Sequence, residues 1–114
     1  MKRQYHCKLV RDKIPDVLRE KNIYCQTVHI DDYYEKLKLL KQKLLEEVIE
    51  FIDGDDVNEL VDIWEVIAAI ASTCAFKFLD FEKVRTTKLD QNGGFHNGTM
   101  LIYTEEEDHE TQDR

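Results

Sequence analysis

Two pairs of acidic residues have the type and spacing to bind a metal ion. Glu47 and Glu50 stand three residues apart, and Glu59 and Asp62 repeat that spacing after an acidic break at residues 53–56. Side chains three apart in an α-helix are separated by about 60° around its axis, so each pair shares one helix face. A helix hairpin that brought the pairs together would place four carboxylates around one hard cation.

The composition of this candidate site favours Mg²⁺, with Mn²⁺ as a substitute, over zinc, because every donor is a carboxylate oxygen and neither pair includes a histidine. A simpler interpretation stays open. Glu47 and Glu50 suit a solvated helix face, where Lys43 can form a surface pair with Glu47. Glu59 suits the positive end of a helix dipole. Asp62 resists this explanation because it lies on the apolar side of the most apolar helix.

Capping residues and apolar periodicity define the helices that position these acids. The patterns predict four helices: from Pro15 to about Asn22, from the Asp32 cap to a left-handed Gly54, from the Asp56 cap to about Phe76, and from Phe81 to about Gln91 after an Asp80 cap. The second helix carries an apolar stripe of Leu37, Leu40, Leu44, Val48 and Phe51. The third is apolar nearly all round, so we expect it to be the central buried helix, with Trp64 in the core.

These elements predict an all-α fold, a helical bundle built on a central antiparallel helix hairpin. Residues 23–30 and the end of residues 95–103 are rich in β-forming side chains, and the pattern allows a minor pair of short strands between them. A chain of 114 residues is one domain long, and we expect it to complete its core by oligomerisation. We assign residues 1–104 to this domain and residues 105–114 to an acidic, disordered tail.

Charge and cysteine content restrict the classes of partner. The net charge of -8 argues against a nucleic-acid partner, since phosphate neutralisation needs a basic surface. Three cysteines without Cys-x-x-Cys spacing indicate neither a disulfide framework nor a thiolate zinc site, which fits the reducing cytosol. The sequence contains no signal-peptide pattern and no apolar run that would span a bilayer. We therefore expect a cytoplasmic protein without a membrane partner.

Three motifs together resemble one known family. Glu46-Glu47-Val-Ile-Glu50 with Glu59-Leu-Val-Asp62 resembles the metal motif of the all-α nucleoside triphosphate pyrophosphohydrolases, of MazG and phosphoribosyl-ATP pyrophosphohydrolase type. Lys8-Leu-Val-Arg-Asp-Lys-Ile-Pro15 resembles the N-terminal signature of a small, single-domain branch, and Lys88 followed by Gly93-Gly94-Phe95 resembles its closing motif. The resemblance covers residues 5–103. It departs from the branch at Asn92, where an arginine is usual.

The resemblance implies hydrolysis of a nucleoside triphosphate between the α and β phosphates, giving a nucleoside or deoxynucleoside monophosphate and pyrophosphate. It implies Mg²⁺ ligands at Glu47, Glu50, Glu59 and Asp62. Glu46 or Glu50 would orient or deprotonate the attacking water. The implied phosphate contacts are Lys8, Arg11, Lys13 and Lys88. It also implies a homodimer or homotetramer. Two alternatives stay open: a phosphoribosylated or modified nucleotide as substrate, and a non-catalytic helical assembly or regulatory module.

Overall fold

Four α-helices and no β-strand make up the regular structure of residues 2–74 and 78–108, which are the residues that the computed structural model describes. The helices are α1 (Ile14–Glu20), α2 (Tyr33–Gly54), α3 (Val57–Thr73) and α4 (Phe78–Asn92). The predicted all-α class is therefore confirmed. α2 packs along α3, and α4 lies against α3. Among these helices none is long and apolar enough to cross a membrane.

Two aspartates begin the helices of the α2–α3 hairpin. The Asp32 carboxylate accepts a hydrogen bond from the Glu35 N–H at 2.9 Å, and the Asp56 carboxylate accepts one from the Asn58 N–H at 2.9 Å. The first N–H groups of a helix have no partner inside the helix, so a side-chain oxygen at the cap stabilises that end. Both predicted helix starts are confirmed.

The turn between α2 and α3 differs by one residue from the prediction. Gly54 is the last residue of α2, and the left-handed conformation belongs to Asp55, with φ 49°. Aspartate is among the few residues other than glycine that adopt this conformation singly. The Asp55 N–H donates to the Phe51 carbonyl at 2.8 Å, which closes the last turn of α2. Only Asp55 and Asp56 separate the helices, so the hairpin is antiparallel.

The core of the hairpin is small. Leu40 of α2 and Val66 of α3 are buried, and the rest of the predicted α2 stripe is half-buried. The prediction that α3 is buried all round is wrong for the single chain. The α3 face opposite Val66 is exposed from Val57 to Trp64, and Trp64 itself is 62% exposed. The reason is that α4 covers only the later part of this face.

The first and last helices flank the hairpin. α1 begins at Ile14, so Pro15 occupies its first turn as expected, and the helix ends at Glu20, with Lys21 as its C-cap. α4 begins at Phe78, earlier than predicted, which places Asp80 inside its first turn. Gly93, with φ 82°, follows the last residue of α4 and donates its N–H to the Leu89 carbonyl, which confirms the predicted stop.

The predicted pair of short strands is absent from the described residues, so that prediction is wrong. Val28 is 74% exposed, and the side chains of residues 100–103 are 73–79% exposed, so the two segments do not cover each other. A two-stranded ribbon is marginal in water without a surface to pack on. Residues 105–108 of the predicted tail contain neither helix nor strand. Residues 109–114 and Phe76, the predicted end of the third helix, lie outside the described residues.

Candidate metal centre

Three of the four predicted metal ligands converge where α2 turns into α3. Glu47 and Glu50 lie near the end of α2, and Glu59 lies in the first turn of α3. One carboxylate oxygen from each residue lies within 4.8 Å of the other two. The short loop between the helices causes this convergence. Asp62 lies one turn further along α3 and is not part of this group of three.

Glu47 is the buried member of the group, with 5% of its surface exposed. Its Oε1 lies 3.2 Å from the Lys43 Nζ. Its Oε2 has no hydrogen-bond partner among the described residues, although that atom is fully shielded from solvent. A buried carboxylate oxygen without a partner is unfavourable by more than a kilocalorie per mole, so such atoms normally face a donor or a cation. This oxygen is therefore the strongest indication of a bound ion.

The pKa of Glu50 reflects the negative charges close to it. Its pKa lies above its ordinary value, first because a protonated Glu50 carboxyl can donate a hydrogen bond to the Glu47 carboxylate, which lacks that donor when both acids are ionised. Repulsion from the Glu47 charge, desolvation, and repulsion from Glu46 and Glu59 follow in that order. Neighbouring acids raise a carboxyl pKa because they disfavour a further negative charge. A cation between the carboxylates would remove the repulsion.

Lys43 belongs to the site, whereas its spacing from Glu47 predicts only a surface pair. Its side chain is largely buried, and its Nζ lies 3.5 Å from the Glu46 Oε1 and 3.2 Å from the Glu47 Oε1. Burial alone would lower the Lys43 pKa, but the hydrogen bonds and charges of the two acids outweigh it, so the pKa is raised. Lys43 therefore remains cationic. Its spacing of three and four residues from these acids was the sequence signal for the two ion pairs. No sequence signal indicated its burial.

Asp62 is held by a residue from the N-terminal segment. The Arg11 guanidinium donates to the Asp62 Oδ1 from Nη2 at 2.5 Å and from Nε at 3.2 Å. The Arg11 pKa is raised, chiefly by this hydrogen bond; desolvation opposes the rise, and the charges of Asp62, Glu65 and Glu47 add to it. The predicted fourth ligand is thus paired with a predicted phosphate contact.

Glu46, a predicted catalytic acid, lies between two ammonium groups. The Lys8 Nζ is 3.5 Å from the Glu46 Oε1, and the Lys43 Nζ is equally distant from it. The N-terminal segment, residues 2–13, therefore reaches both helices of the hairpin. Lys8 contacts Glu46 of α2, and Arg11 contacts Asp62 of α3. A shallow depression beside this contact is lined by Cys7, Lys8, Leu9, Leu39, Gln42, Lys43 and Glu46.

The other two predicted phosphate contacts lie elsewhere. Lys13 is the N-cap residue of α1, and Lys88 is on α4. Neither forms an ion pair with the four acids in the part of the chain that the structure describes. α4 reaches α3 through Phe81 and Arg85, which line a groove with Trp64. Trp64 lies about 160° around α3 from the buried Val66, so α4 is on the side away from α2.

The donor set fits Mg²⁺. Carboxylate oxygens are hard ligands, and the group of three contains no nitrogen or sulfur donor that would favour zinc. Two oxygens bound to one Mg²⁺ at about 2.1 Å are at most about 4.2 Å apart. The observed spread, within 4.8 Å, needs only small side-chain rotations to reach that geometry.

Comparisons with known proteins add no further constraint. The chain matches no family model, and no curated protein and no solved structure is significantly similar to it.

Proposed function

We propose that this protein is a Mg²⁺-dependent nucleoside triphosphate pyrophosphohydrolase, which cleaves between the α and β phosphates to release pyrophosphate and a nucleoside or deoxynucleoside monophosphate. Mn²⁺ is the expected substitute ion. The observation that carries the proposal is the buried, unpartnered Oε2 of Glu47 beside the carboxylates of Glu50 and Glu59. The resemblance of the acidic, N-terminal and Gly-Gly-Phe motifs to this class of hydrolase supports the reaction.

In this proposal the four acids Glu47, Glu50, Glu59 and Asp62 hold the ion. When bound, Mg²⁺ polarises phosphate oxygens and makes a bound water more acidic. Glu50 is exposed, so its carboxylate is accessible to the attacking water and is suited to accept a proton from it. Glu46 is the alternative. Because two ammonium groups hold it in place, it is better suited to orienting the water.

The four basic residues predicted to contact the phosphates differ in how close they lie to the acidic site. Lys8 and Arg11 already lie against the acidic site, so a small movement would transfer their charge to a bound triphosphate. Lys13 is a weaker candidate because, within residues 2–74 and 78–108, no ion pair joins it to the acids. Lys88 is on α4, which packs on the α3 side away from α2, and in this proposal it acts from another subunit.

We also propose that the chain acts as a homodimer or homotetramer in the cytosol. The outer face of α3 presents Val57, Leu60, Val61 and Trp64, each at least 50% exposed. A contiguous apolar patch of this kind is typical of an interface. The three free cysteines fit a reducing compartment. Apart from its own copies, the proposed partner is the nucleotide, and neither nucleic acid nor membrane is part of the proposal.

Pyrophosphate release tests the proposal. The assay uses a panel of NTPs, dNTPs and phosphoribosylated nucleotides, with and without Mg²⁺. We expect Mg²⁺-dependent turnover, reduced by at least about 100-fold in Glu47→Gln and Asp62→Asn because each variant removes a charged ligand. Glu20→Gln, an exposed acid on α1, is the matched control and should match wild type. Undiminished turnover in both site variants would contradict the assigned site.

A second candidate is a non-catalytic helical module for assembly or regulation. The exposed apolar residues of α2 and α3 favour it, because an interface needs them whether or not the acids catalyse anything. The same assay separates the two functions. An oligomeric protein that releases no pyrophosphate from any nucleotide in the panel would support the assembly module.

A further inference from the structure

The segment that follows α4 has two unlike halves. We call residues 95–108 the C-terminal arm. Its residues Met100, Leu101, Ile102 and Tyr103 are 73–79% exposed. Acidic side chains at residues 105–108 follow directly. Exposing four consecutive apolar side chains is unfavourable in water. A surface that buries them and also pairs with the acids that follow must be apolar, with a basic region beside the apolar one.

The outer face of α2 is such a surface, apolar with a basic region beside it. Leu45, Ile49 and Ile52, which are 50–68% exposed, lie about 120–180° around the helix from the buried Leu40. Lys38 and Lys41 continue the same face toward the start of α2, about 100–160° from Leu40. Between residues 34 and 52 no acidic residue falls in this sector. The face is therefore apolar at one end and basic at the other.

The apolar and acidic pattern of the arm has the same length as the apolar and basic pattern of the outer α2 face. From Lys38 to Ile49 the helix rises roughly 16 Å at 1.5 Å per residue. From Leu101 to Glu106 an extended chain covers roughly 16 Å at 3.3 Å per residue. An arm that runs antiparallel to α2 would therefore place its apolar half on Leu45, Ile49 and Ile52. The same register places its acidic half on Lys38 and Lys41.

We propose that the C-terminal arm of one chain docks antiparallel along the outer face of α2 in a second copy of the chain. A second copy is the fitting occupant because α4, the helix that leads into the arm, packs through Phe81 and Arg85 on the α3 side turned away from α2, opposite to the docking face. Reciprocal docking would form a two-fold symmetric pair. This interface uses neither the metal ligands nor the exposed face of α3, and it does not depend on the proposed reaction.

Cysteine cross-linking between two preparations tests the exchange. In a full-length background with Cys7, Cys25 and Cys74 changed to serine, one preparation carries Ile49→Cys and the other carries Ile102→Cys. After mixing and oxidation with copper phenanthroline, we expect a covalent heterodimer. The matched control pairs Ile102→Cys with Val84→Cys, an exposed apolar position on α4, and should give little product. Far-UV circular dichroism checks that each variant is folded.

Charge exchange tests the basic half of the contact. Lys38→Glu with Lys41→Glu in the Ile49→Cys protein should lower the heterodimer yield by about fivefold or more, because like charges then oppose the acidic arm. Adding Glu105→Lys with Glu106→Lys to the Ile102→Cys protein should restore the yield. A yield no higher than the Val84 control would overturn the proposal. So would a monomeric, intramolecular disulfide as the main product of an Ile49→Cys/Ile102→Cys chain.

Discussion

At the scale of single residues, the acidic site is a balance between repulsion and partial neutralisation. Lys43 is paired with Glu46 and Glu47, and Arg11 is paired with Asp62. Even so, Glu47 retains a buried oxygen without a partner and Glu50 retains a raised pKa. Groups arranged in this way reduce the stability of the fold, and such arrangements are concentrated at functional sites. The cation that the site is proposed to bind would reverse the sign of this contribution.

The pKa of Glu50 predicts how stability depends on pH without divalent cations. The folded protein holds the Glu50 proton more tightly than the unfolded chain does, so protonation favours folding. The Glu50 contribution to the free energy of unfolding is therefore lost as the pH rises from the ordinary value near 4.5 through the raised pKa. Urea denaturation in EDTA should show that Glu50→Gln gains stability relative to wild type across this range. An unchanged difference between the two proteins would contradict the prediction.

We expect Arg11 and the metal ion to compete for the Asp62 carboxylate. Because its guanidinium occupies the Asp62 Oδ1, Mg²⁺ must displace it to use that oxygen. Arg11→Gln should therefore reach half of its maximal Mg²⁺-induced rise in melting temperature at a several-fold lower Mg²⁺ concentration than wild type. Arg19→Gln, which breaks an exposed ion pair with Asp16, is the matched control and should not shift it. Equal Mg²⁺ dependence in Arg11→Gln and wild type would exclude the competition.

At the scale of elements, the α2–α3 hairpin positions the site. Its capping aspartates set where each helix begins, and the turn at Asp55 sets how the end of α2 meets the start of α3. The packed stripe of α2 then keeps Glu47 and Glu50 directed toward α3. Because all three converging acids lie within two turns of the loop, the site depends on the rigidity of this one corner.

The cap of α2 should contribute measurably to that rigidity. Asp32→Ala removes the acceptor for the Glu35 N–H, and the loss of such a cap costs about 1 kcal/mol. Asp31→Ala changes the neighbouring exposed aspartate and serves as the matched control. Chemical denaturation should show lower stability for Asp32→Ala only. Equal stabilities for the two variants would mean that the cap is not energetically significant.

At the scale of the whole molecule, a single chain leaves too much surface uncovered. Its accessible area is 11258 Å², against about 6600 Å² expected for a folded monomer of 13.6 kDa. Its radius of gyration is 21.0 Å, against about 13 Å for a compact chain of this length. Exposed apolar side chains on α2, α3 and the C-terminal arm contribute to this excess. Self-association is the simplest way to bury them.

The exposed face of α3 gives a direct test of association. Val61→Asp places a charge at the centre of that face and should shift the protein to smaller species in light scattering coupled to size exclusion. Val84→Asp changes a residue of similar exposure on α4 and is the matched control. If both variants retain the wild-type mass, the α3 face is not an interface.

The sequence alone determined the local features of the protein. Capping aspartates, apolar spacing and glycine stops depend on interactions within a few residues, and they predicted the helical class, the starts of α2 and α3 and the stop after α4. The acidic spacing predicted Glu47, Glu50, Glu59 and Asp62 as neighbours across a tight hairpin, and the first three converge there, whereas Asp62 is paired with Arg11. The left-handed turn was misplaced by one residue because aspartate and glycine can both adopt it.

Which charges meet and which faces remain open depends on how the helices and the N-terminal segment pack in three dimensions. The pairing of Arg11 with Asp62 joins positions 51 residues apart, and the burial of Lys43 depends on what packs over α2. No local pattern encodes either contact. Apolar spacing also could not distinguish a helix buried within its own chain from one that needs a partner, because both hide the same side chains from water. For that reason α3 reads as a central helix in the sequence and stands half uncovered in the single chain.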